Sequence, residues 1–331
     1  MKLKQTTLAT AIAATLALGM SGQALAYVYA GSVTEISNLV IAISPGAGAV
    51  IDNFVFTTSN TAMLNGVITS ASATCTGTPG AGGTTNNCGP FPSPVLDGPT
   101  VSMGAPSRPA NIFTLIGPSL TDSWSNSDSI VPTAQLVDFI PSSAKTIAEA
   151  NLNPGGVTAS ANSEIQSTTN FTFTFTTLAL GNMNVGFNAD SRLWTAISGE
   201  GGVGNSAQAN NKISLTLTES GGAGRVISWA PNGSNFCDDP LSLCIASDGA
   251  AQNRLNTNRS RGVNGVTDFD PVLTALSLSI TGLEAGSWSL GLNVVNSVTV
   301  DRAPTIPEPS VLALMGIGLA GLGAITRRRK V

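Results

Sequence analysis

Few side chains in this sequence can do covalent or acid–base chemistry, and their types restrict what that chemistry is. None of the 331 residues is histidine, which removes Ser-His-Asp and Cys-His nucleophiles and any imidazole-based metal centre. Glu149, Glu164, Glu200, Glu219 and Glu284 are available for the carboxylate pair of a glycoside hydrolase, but nothing in their spacing selects two of them. "CDDP" (237–240), "SDG" (247–249) and the pair Asp268 and Asp270 present oxygens of the kind Ca²⁺ takes, without the register of an EF-hand. These aspartates read as solvated turn residues. The expectation is a protein that is not an enzyme, with no catalytic residue, no metal ligand set and no cofactor.

The four cysteines fall into two local pairs, Cys75 with Cys88 and Cys237 with Cys244. An even count in an exported chain reads as disulfides, for which three connectivities exist. The intervening "TGTPGAGGTTNN" and "DDPLSL" are flexible enough to close on themselves, so 75–88 and 237–244 are the expected bridges. Zinc is the alternative, but neither pair has CxxC spacing and no histidine is there to help. Trp124, Trp194, Trp229 and Trp288 are the side chains able to stack on sugar rings. Trp288 is in phase with apolar neighbours and is assigned to packing; the other three keep a carbohydrate-binding module open as the rival function.

These residues must be positioned by strands. "FTFTFT" (171–176) alternates Phe171, Phe173 and Phe175 with threonines, and "KISLTLTES" places Ile213, Leu215 and Leu217 on one face. Leu276, Leu278 and Ile280 repeat the pattern, as do Met183, Val185 and Phe187. So do Leu39, Ile41 and Ile43, and the pair Phe54 and Phe56. In "SWSLGLNVVNSVTV" the apolar face runs from Trp288 to Val300 and is interrupted only at Asn296. One apolar and one polar face per strand is what stacked antiparallel sheets require. "ESGGAGR" (219–225) reads as a hairpin turn, "SGEGGVGNSAQANN" (198–211) as a Gly/Asn break, and "SSAKTIAEANL" (142–152) as a short helix. Residues 57–109 read as a long decorated loop region with a few short strands. The fold class is all-β: one β-sandwich or jelly-roll-like body over residues 27–302.

Composition and the two ends say where such a body resides. Only 10% of residues are charged, against about 25% in ordinary soluble domains. Setting aside the six basic residues at the termini leaves nine basic against 19 acidic side chains, a balance that excludes nucleic acid as a partner. Lys2 and Lys4, the apolar stretch 8–19 and the small residues Ala24 and Ala26 make a signal peptide over residues 1–26, cut by signal peptidase before Tyr27. At the other end "DRAPTIPEPS" precedes an uncharged run, 311–325, and then Arg327, Arg328, Arg329 and Lys330. As a helix this run spans roughly 22 Å, extended toward a bilayer core of about 30 Å by flanking residues and snorkelling basic side chains. A C-terminal transmembrane helix with its basic tip in the cytoplasm follows from the positive-inside rule.

Pro307-Glu308-Pro309, a short Gly-rich apolar helix and a terminal basic cluster, in that order, resemble the PEP-CTERM sorting signal. The resemblance implies that residues 303–331 are recognised by an exosortase-type transpeptidase in the membrane, with Pro307, Glu308 and Pro309 as recognition triplet and Arg327, Arg328 and Arg329 as retention cluster. It further implies cleavage near the triplet, transfer of the body to the cell surface or extracellular matrix of a Gram-negative bacterium, and an association with exopolysaccharide and biofilm. "AYVYAGS" (26–32) and "VDRAP" (300–304) also resemble the EDSAP-type members of that group. In the second, Asp301, Ala303 and Pro304 match the pattern, and Val300 and Arg302 depart from it.

Overall fold

The computed structural model describes residues 27–44, 50–77, 95–133, 142–153, 161–199, 204–221, 224–248 and 255–302, together with 316 and 318. The first strands are β1 (Tyr27–Ser44), β2 (Val50–Leu64), β3 (Val67–Gly77), β4 (Leu96–Asp97), β5 (Val101–Gly104) and β6 (Trp124–Thr133). Next come β7 (Ser142–Leu152), β8 (Ala161–Thr177), β9 (Gly181–Ser198), β10 (Ser206–Ser220), β11 (Val226–Trp229) and β12 (Cys237–Asp238). The chain closes with β13 (Cys244–Ser247), β14 (Thr257–Arg261), β15 (Gly265–Phe269), β16 (Thr274–Leu283) and β17 (Gly286–Arg302). One sheet has the order β13-β16-β9-β1-β7-β6-β4, with β15 also on β9 and β5 on β6; the other has the order β12-β11-β10-β17-β8-β2-β3, with β14 also on β10. All pairings between described strands are antiparallel, and the two sheets stack into a β-sandwich-like body.

The alternating residues lie where their period puts them. Phe171, Phe173, Phe175, Ile213, Leu215, Leu217, Leu276, Leu278, Ile280 and Trp288 are all buried in one core cluster. Ile41 and Ile43 pack against it only partly buried. Along β17 the inward side chains shrink from Trp288, Leu290 and Leu292 to Val298 and Val300. The small end packs against Val28, Ala30, Ala148, Ala150, Ala207 and Ala209. Between the bulky and the small clusters runs a polar layer. Asn296 pairs in register with Asn211 in one sheet, and Thr34 with Thr146 and Ser191 in the other. Thr34 Oγ1 donates to Asn296 Oδ1 at 2.8 Å, and Asn296 Nδ2 donates to Thr146 O at 2.7 Å. Asn211 Nδ2 donates to Ser191 Oγ at 2.5 Å and to Thr34 Oγ1 at 3.3 Å. The interruption at Asn296 is thus a hydrogen-bonded seam between the sheets.

Three expectations are corrected. Residues 142–152 form β7, not a helix: they pair with β1 on one side and β6 on the other. Both faces of β7 are covered, so its sequence lacks the polar alternation of a half-exposed strand, and tertiary pairing overrides the helical propensity of Ala, Lys and Glu. Residues 57–77 belong to a long hairpin, β2–β3, turned by Asn65 and Gly66 at φ 52° and 78°; positive φ at both positions is the type I′ geometry that Asn-Gly favours. Most of β3 is exposed, so its Ser/Thr/Ala run carries no apolar stripe. The 198–211 segment is not all break, because β10 begins at Ser206 with Ala207, Ala209 and Asn211 facing inward. The hairpin at 219–225 is found as expected, joining β10 to β11. The signal-peptide residues Ala24 and Ala26, and the tail residues Pro307, Glu308, Pro309, Arg327, Arg328 and Arg329, lie outside the described residues. Gly316 and Gly318 are helical, and among the described residues no helix is long and apolar enough to cross a membrane.

If the seam positions the sheets, Asn296→Ala should cost about 1–3 kcal/mol by leaving Thr34 and Thr146 without their partner inside the body. Trp288→Ala should cost about 3–5 kcal/mol through lost apolar burial and the cavity it leaves. Urea unfolding of both variants measures the two costs, and an Asn296→Ala midpoint equal to the native one would show the seam to be dispensable.

Candidate functional site

Among the glutamates considered for acid–base work whose surroundings are described, Glu149 is the one in an enclosed polar cluster. It sits on the outer face of β7, fully buried, because residues 105–123 cross that face as a long cover. Its Oε1 accepts from the Tyr29 hydroxyl at 2.6 Å and from Gly117 N at 2.8 Å, and its Oε2 accepts from Arg108 Nη2. The same guanidinium donates to Ile112 O and Thr114 O of the cover. Burial pushes the Glu149 carboxyl up despite the neighbouring arginine, and burial with the adjacent Glu149 charge raises the Tyr29 phenol well above its ordinary range. A glycosidase acid needs a raised carboxyl facing substrate and a second carboxylate nearby. Here both oxygens are engaged by the protein itself, so the geometry makes Glu149 an anchor for the cover.

The neighbouring outer-face side chains do the same work. Asp128 accepts from Asn111 N and Ser129 N, each at 2.8 Å, and its carboxyl is raised by burial. Asn151 Nδ2 donates to Ser119 O and Asp122 O, and Asn126 Nδ2 donates to Pro106 O. Gly31 admits the cover closely, since a Cβ there would lie 2.8 Å from Leu115. Sequence reasoning missed Arg108 and Tyr29. The available signal was scarcity, because Arg108 is the only basic residue between Lys4 and Lys145.

Of the aspartates expected in solvated turns, Asp238, Asp268 and Asp270 are exposed, whereas Asp239 and Asp248 are taken into the fold. Asp239 forms a bidentate pair with Arg225 at 2.7 and 3.0 Å and accepts from Leu241 N and Leu243 N. Its own burial opposes ionisation, but the Arg225 and backbone donors outweigh it and hold the carboxyl below the usual range. Asp248 is buried and accepts from the backbone nitrogens of Asn232, Gly233 and Asn235. Asp268 and Asp270 face Arg192, at 2.7 and 3.8 Å. A hollow of about 630 Å³ beside them is lined by the single stretch 268–275, and Pro271, Val272 and Leu273 supply no convergent polar group. Among the described residues no three His, Cys, Asp or Glu side chains are placed to hold a metal ion.

Cys237 is bonded to Cys244, as expected. These residues belong to β12 and β13, the end strands of the two sheets, so the bridge staples the sandwich along one open edge. Cys75, on the opposite end strand β3, is also disulfide-bonded; its expected partner Cys88 lies outside the described residues. Trp124, Trp229 and Trp288 are buried. Trp194 is half-buried, with the Arg192 guanidinium 5.2 Å over its ring and the Tyr29 ring 5.0 Å away edge-on.

That leaves the ends of the body. β1 starts at Tyr27 opposite Ser198, and β17 finishes at Arg302 opposite Ala161. Val28 and Ala30 share a core cluster with Val298 and Val300, so the first and last strands reach the surface at the same end of the sandwich. "VDR" of 300–304 is strand, not linker: Val300 is buried and Asp301 accepts from Ser206 Oγ at 3.0 Å.

Beyond that strand, residues 305–330 match the family model of the PEP-CTERM protein-sorting motif. The match does not extend back to 300–304. The chain therefore carries the sorting motif of an exported, membrane-anchored precursor that an exosortase processes in Gram-negative bacteria. No curated protein matches the chain. Among solved structures it is similar to the "Structure of infectious bursal disease virus Gx strain", at 12% identity over 85% of this chain and 63% of that one. The chain thus spans less than two thirds of that structure's length, and a TM-score of 0.11 carries no argument about fold or function.

Two measurements test the assigned roles of the buried charges. Glu149→Ala strands the Arg108 guanidinium and should cost about 3–5 kcal/mol, with the first proteolytic cuts moving into 105–122; unchanged stability and cutting would refute the anchor. Asp239 contributes stability that is complete above the unfolded carboxylate value near pH 4 and is lost as pH falls through its lower folded value. The stability gap between the native chain and Asp239→Asn should therefore be widest at neutral pH and narrow as the pH falls below the unfolded carboxylate value, read by urea unfolding across that range.

Proposed function

We propose that this chain is a non-enzymatic surface or extracellular-matrix protein, associated with exopolysaccharide and biofilm, whose body is handed over by an exosortase at Pro307-Glu308-Pro309. The observation that carries the reading is the sorting motif at 305–330, which follows directly on the last strand of the body. The two expected processing points bracket the strands: β1 opens at Tyr27, next to the signal peptidase residues Ala24 and Ala26, and β17 ends five residues before Pro307. Cleavage near the triplet removes no strand and exposes no core residue. Two prolines keep the backbone around Glu308 out of helix and central strand, the form in which a protease cleft takes a substrate. The membrane span over the apolar run and the retention role of Arg327, Arg328 and Arg329 belong to the same reading.

The non-enzymatic part rests on where the reactive groups went. Glu149, Asp239 and Asp248 are spent on protein donors, and the chain has no histidine. The rival, a module that holds polysaccharide by aromatic stacking, finds no support in the tryptophans, three of which are buried while the fourth is packed by Arg192 and Tyr29. Contact with exopolysaccharide is instead expected through the Ser/Thr/Asn/Gly surface.

Replacing Pro307-Glu308-Pro309 with three alanines should leave the full-length chain in the membrane fraction, and mass spectrometry of the native released protein should find its C-terminus close to Glu308. Normal release of the triple variant, or a released native protein still ending in Val331, would refute processing at this site.

A further inference from the structure

Both termini of the body leave from one end of the sandwich, and two hairpin tips stand at that same end. Thr61 is the last β2 residue paired with β8, opposite Gln166, and Gln166 faces Ser297 of β17. The β2–β3 tip, a few residues further on, is therefore level with the final residues of β17. Arg261, the last residue of β14, pairs with Ala207, which in turn pairs with Val300. That puts the β14–β15 tip, 262–264, at the same level. Both tips carry aliphatic side chains turned to solvent: Val67 is 60% exposed, Ile68 62% and Val263 66%. Arg261 is occupied in closing its own tip through Val263 O, Asn264 O and Val266 O, so it does not set a free charge beside Val263.

Aliphatic tips also occur at the far end, where Leu178 is 68% exposed, so exposure alone does not choose between the ends. The tether does. Eight residues, 303–310, join Arg302 to the apolar run, and even fully extended they reach only about 30 Å. β17 has 17 residues, which makes the body about 55 Å long in the strand direction. A body of that length on so short a tether cannot turn its far end toward the membrane, because that end would have to pass below the lipid surface. We propose that in the anchored precursor the Arg302 end lies on the bilayer, with Val67, Ile68 and Val263 seated among the lipid headgroups. Aliphatic side chains on a rigid tip gain from that apolar boundary, and the tail supplies the proximity that such weak insertion needs.

The inference rests on the tail being the membrane anchor, and the test separates the two. The full-length chain is reconstituted into vesicles of phosphatidylglycerol and phosphatidylcholine, with and without bromine on the acyl chains, carrying Ile68→Trp, Val263→Trp or Leu178→Trp singly. The native tryptophans, measured in the unsubstituted chain, give the background. Brominated lipid should quench most of the added emission from Ile68→Trp and Val263→Trp and leave that from Leu178→Trp intact. A chain that fails to float with the vesicles removes the anchor and this proposal together. A chain that floats with all three sites unquenched, or with Leu178→Trp quenched equally, keeps the anchor and overturns the proposed orientation. Emission from Ile68→Trp that shifts with protein concentration but ignores bromine makes a second copy the occupant and likewise overturns it.

Discussion

The seam of Thr34, Thr146, Ser191, Asn211 and Asn296 is the constraint on which the stacking of the two sheets depends. Apolar side chains attract one another without direction, so Phe, Leu and Val on two inner faces tolerate a slide along the strand axis. Amide and hydroxyl groups do not, because each buried one must meet a partner at a defined distance. Asn296 reaches across to Thr34 and Thr146, and Asn211 to Thr34 and Ser191. Moving either sheet by one pleat would break both sets at once and set each step of the taper, from Trp288 down to Val300, against the wrong neighbours. Seam and taper thus specify the same stacking, which is the agreement between levels expected of a sequence with one native fold.

How much of this was legible depended on whether a strand had one covered face or two. Strands such as β10, β16 and β17 face solvent on one side, so their period-2 pattern announced both the element and its inward residues. β7 lies between the other sheet and the 105–123 cover. Its outer face holds Glu149 and Asn151 under that cover, and its inner face runs Ala144, Thr146, Ala148, Ala150 and Leu152, so neither composition nor alternation marked it. β3 failed in the opposite way: exposed on both faces near its turn, it needs no apolar residue there to pair with β2. The Asn-Gly turn at 65–66 was the readable sign of that hairpin. The Glu149 cluster was out of reach for another reason. Its members are 41 and 120 residues apart, and only the fold brings an isolated arginine, a glutamate and a tyrosine together. The sorting tail was the most legible segment because its meaning is carried by order along the chain and needs no tertiary contact.

The buried charges show why a chain with so few ionisable groups spends them inside. Arg108–Glu149 and Arg225–Asp239 each hold an irregular segment against a sheet, the first the 105–123 cover and the second the loop joining β12 to β13. Loops carry backbone groups that no ladder satisfies, and a guanidinium satisfies several carbonyls while its charge is met by one carboxylate. Arg108 bonds Ile112 O and Thr114 O, and Arg225 bonds Gly282 O. Asp248 is the complementary device, an acceptor gathering three loop nitrogens. The same allocation withdraws these groups from chemistry at the surface, where Ser, Thr and Asn predominate.

The position of the last strand links the fold to the tail. β17 is not an edge: it lies between β10 and β8, and every one of its residues from Gly286 to Arg302 is paired with β8. The eight-stranded sheet therefore cannot be completed until Arg302 has emerged, since the strands on either side have no direct pairing with each other. A sorting motif that halts the chain must leave slack beyond Arg302 for that strand to insert. Residues 303–310 span that interval in the sequence, and prolines at 304, 307 and 309 are poor residues for continuing a central strand. Under the proposed orientation, slack enough to finish folding is also short enough to keep the body against the surface it left. Completion of the sheet and presentation of the Pro-Glu-Pro triplet are in this way set by one length of chain.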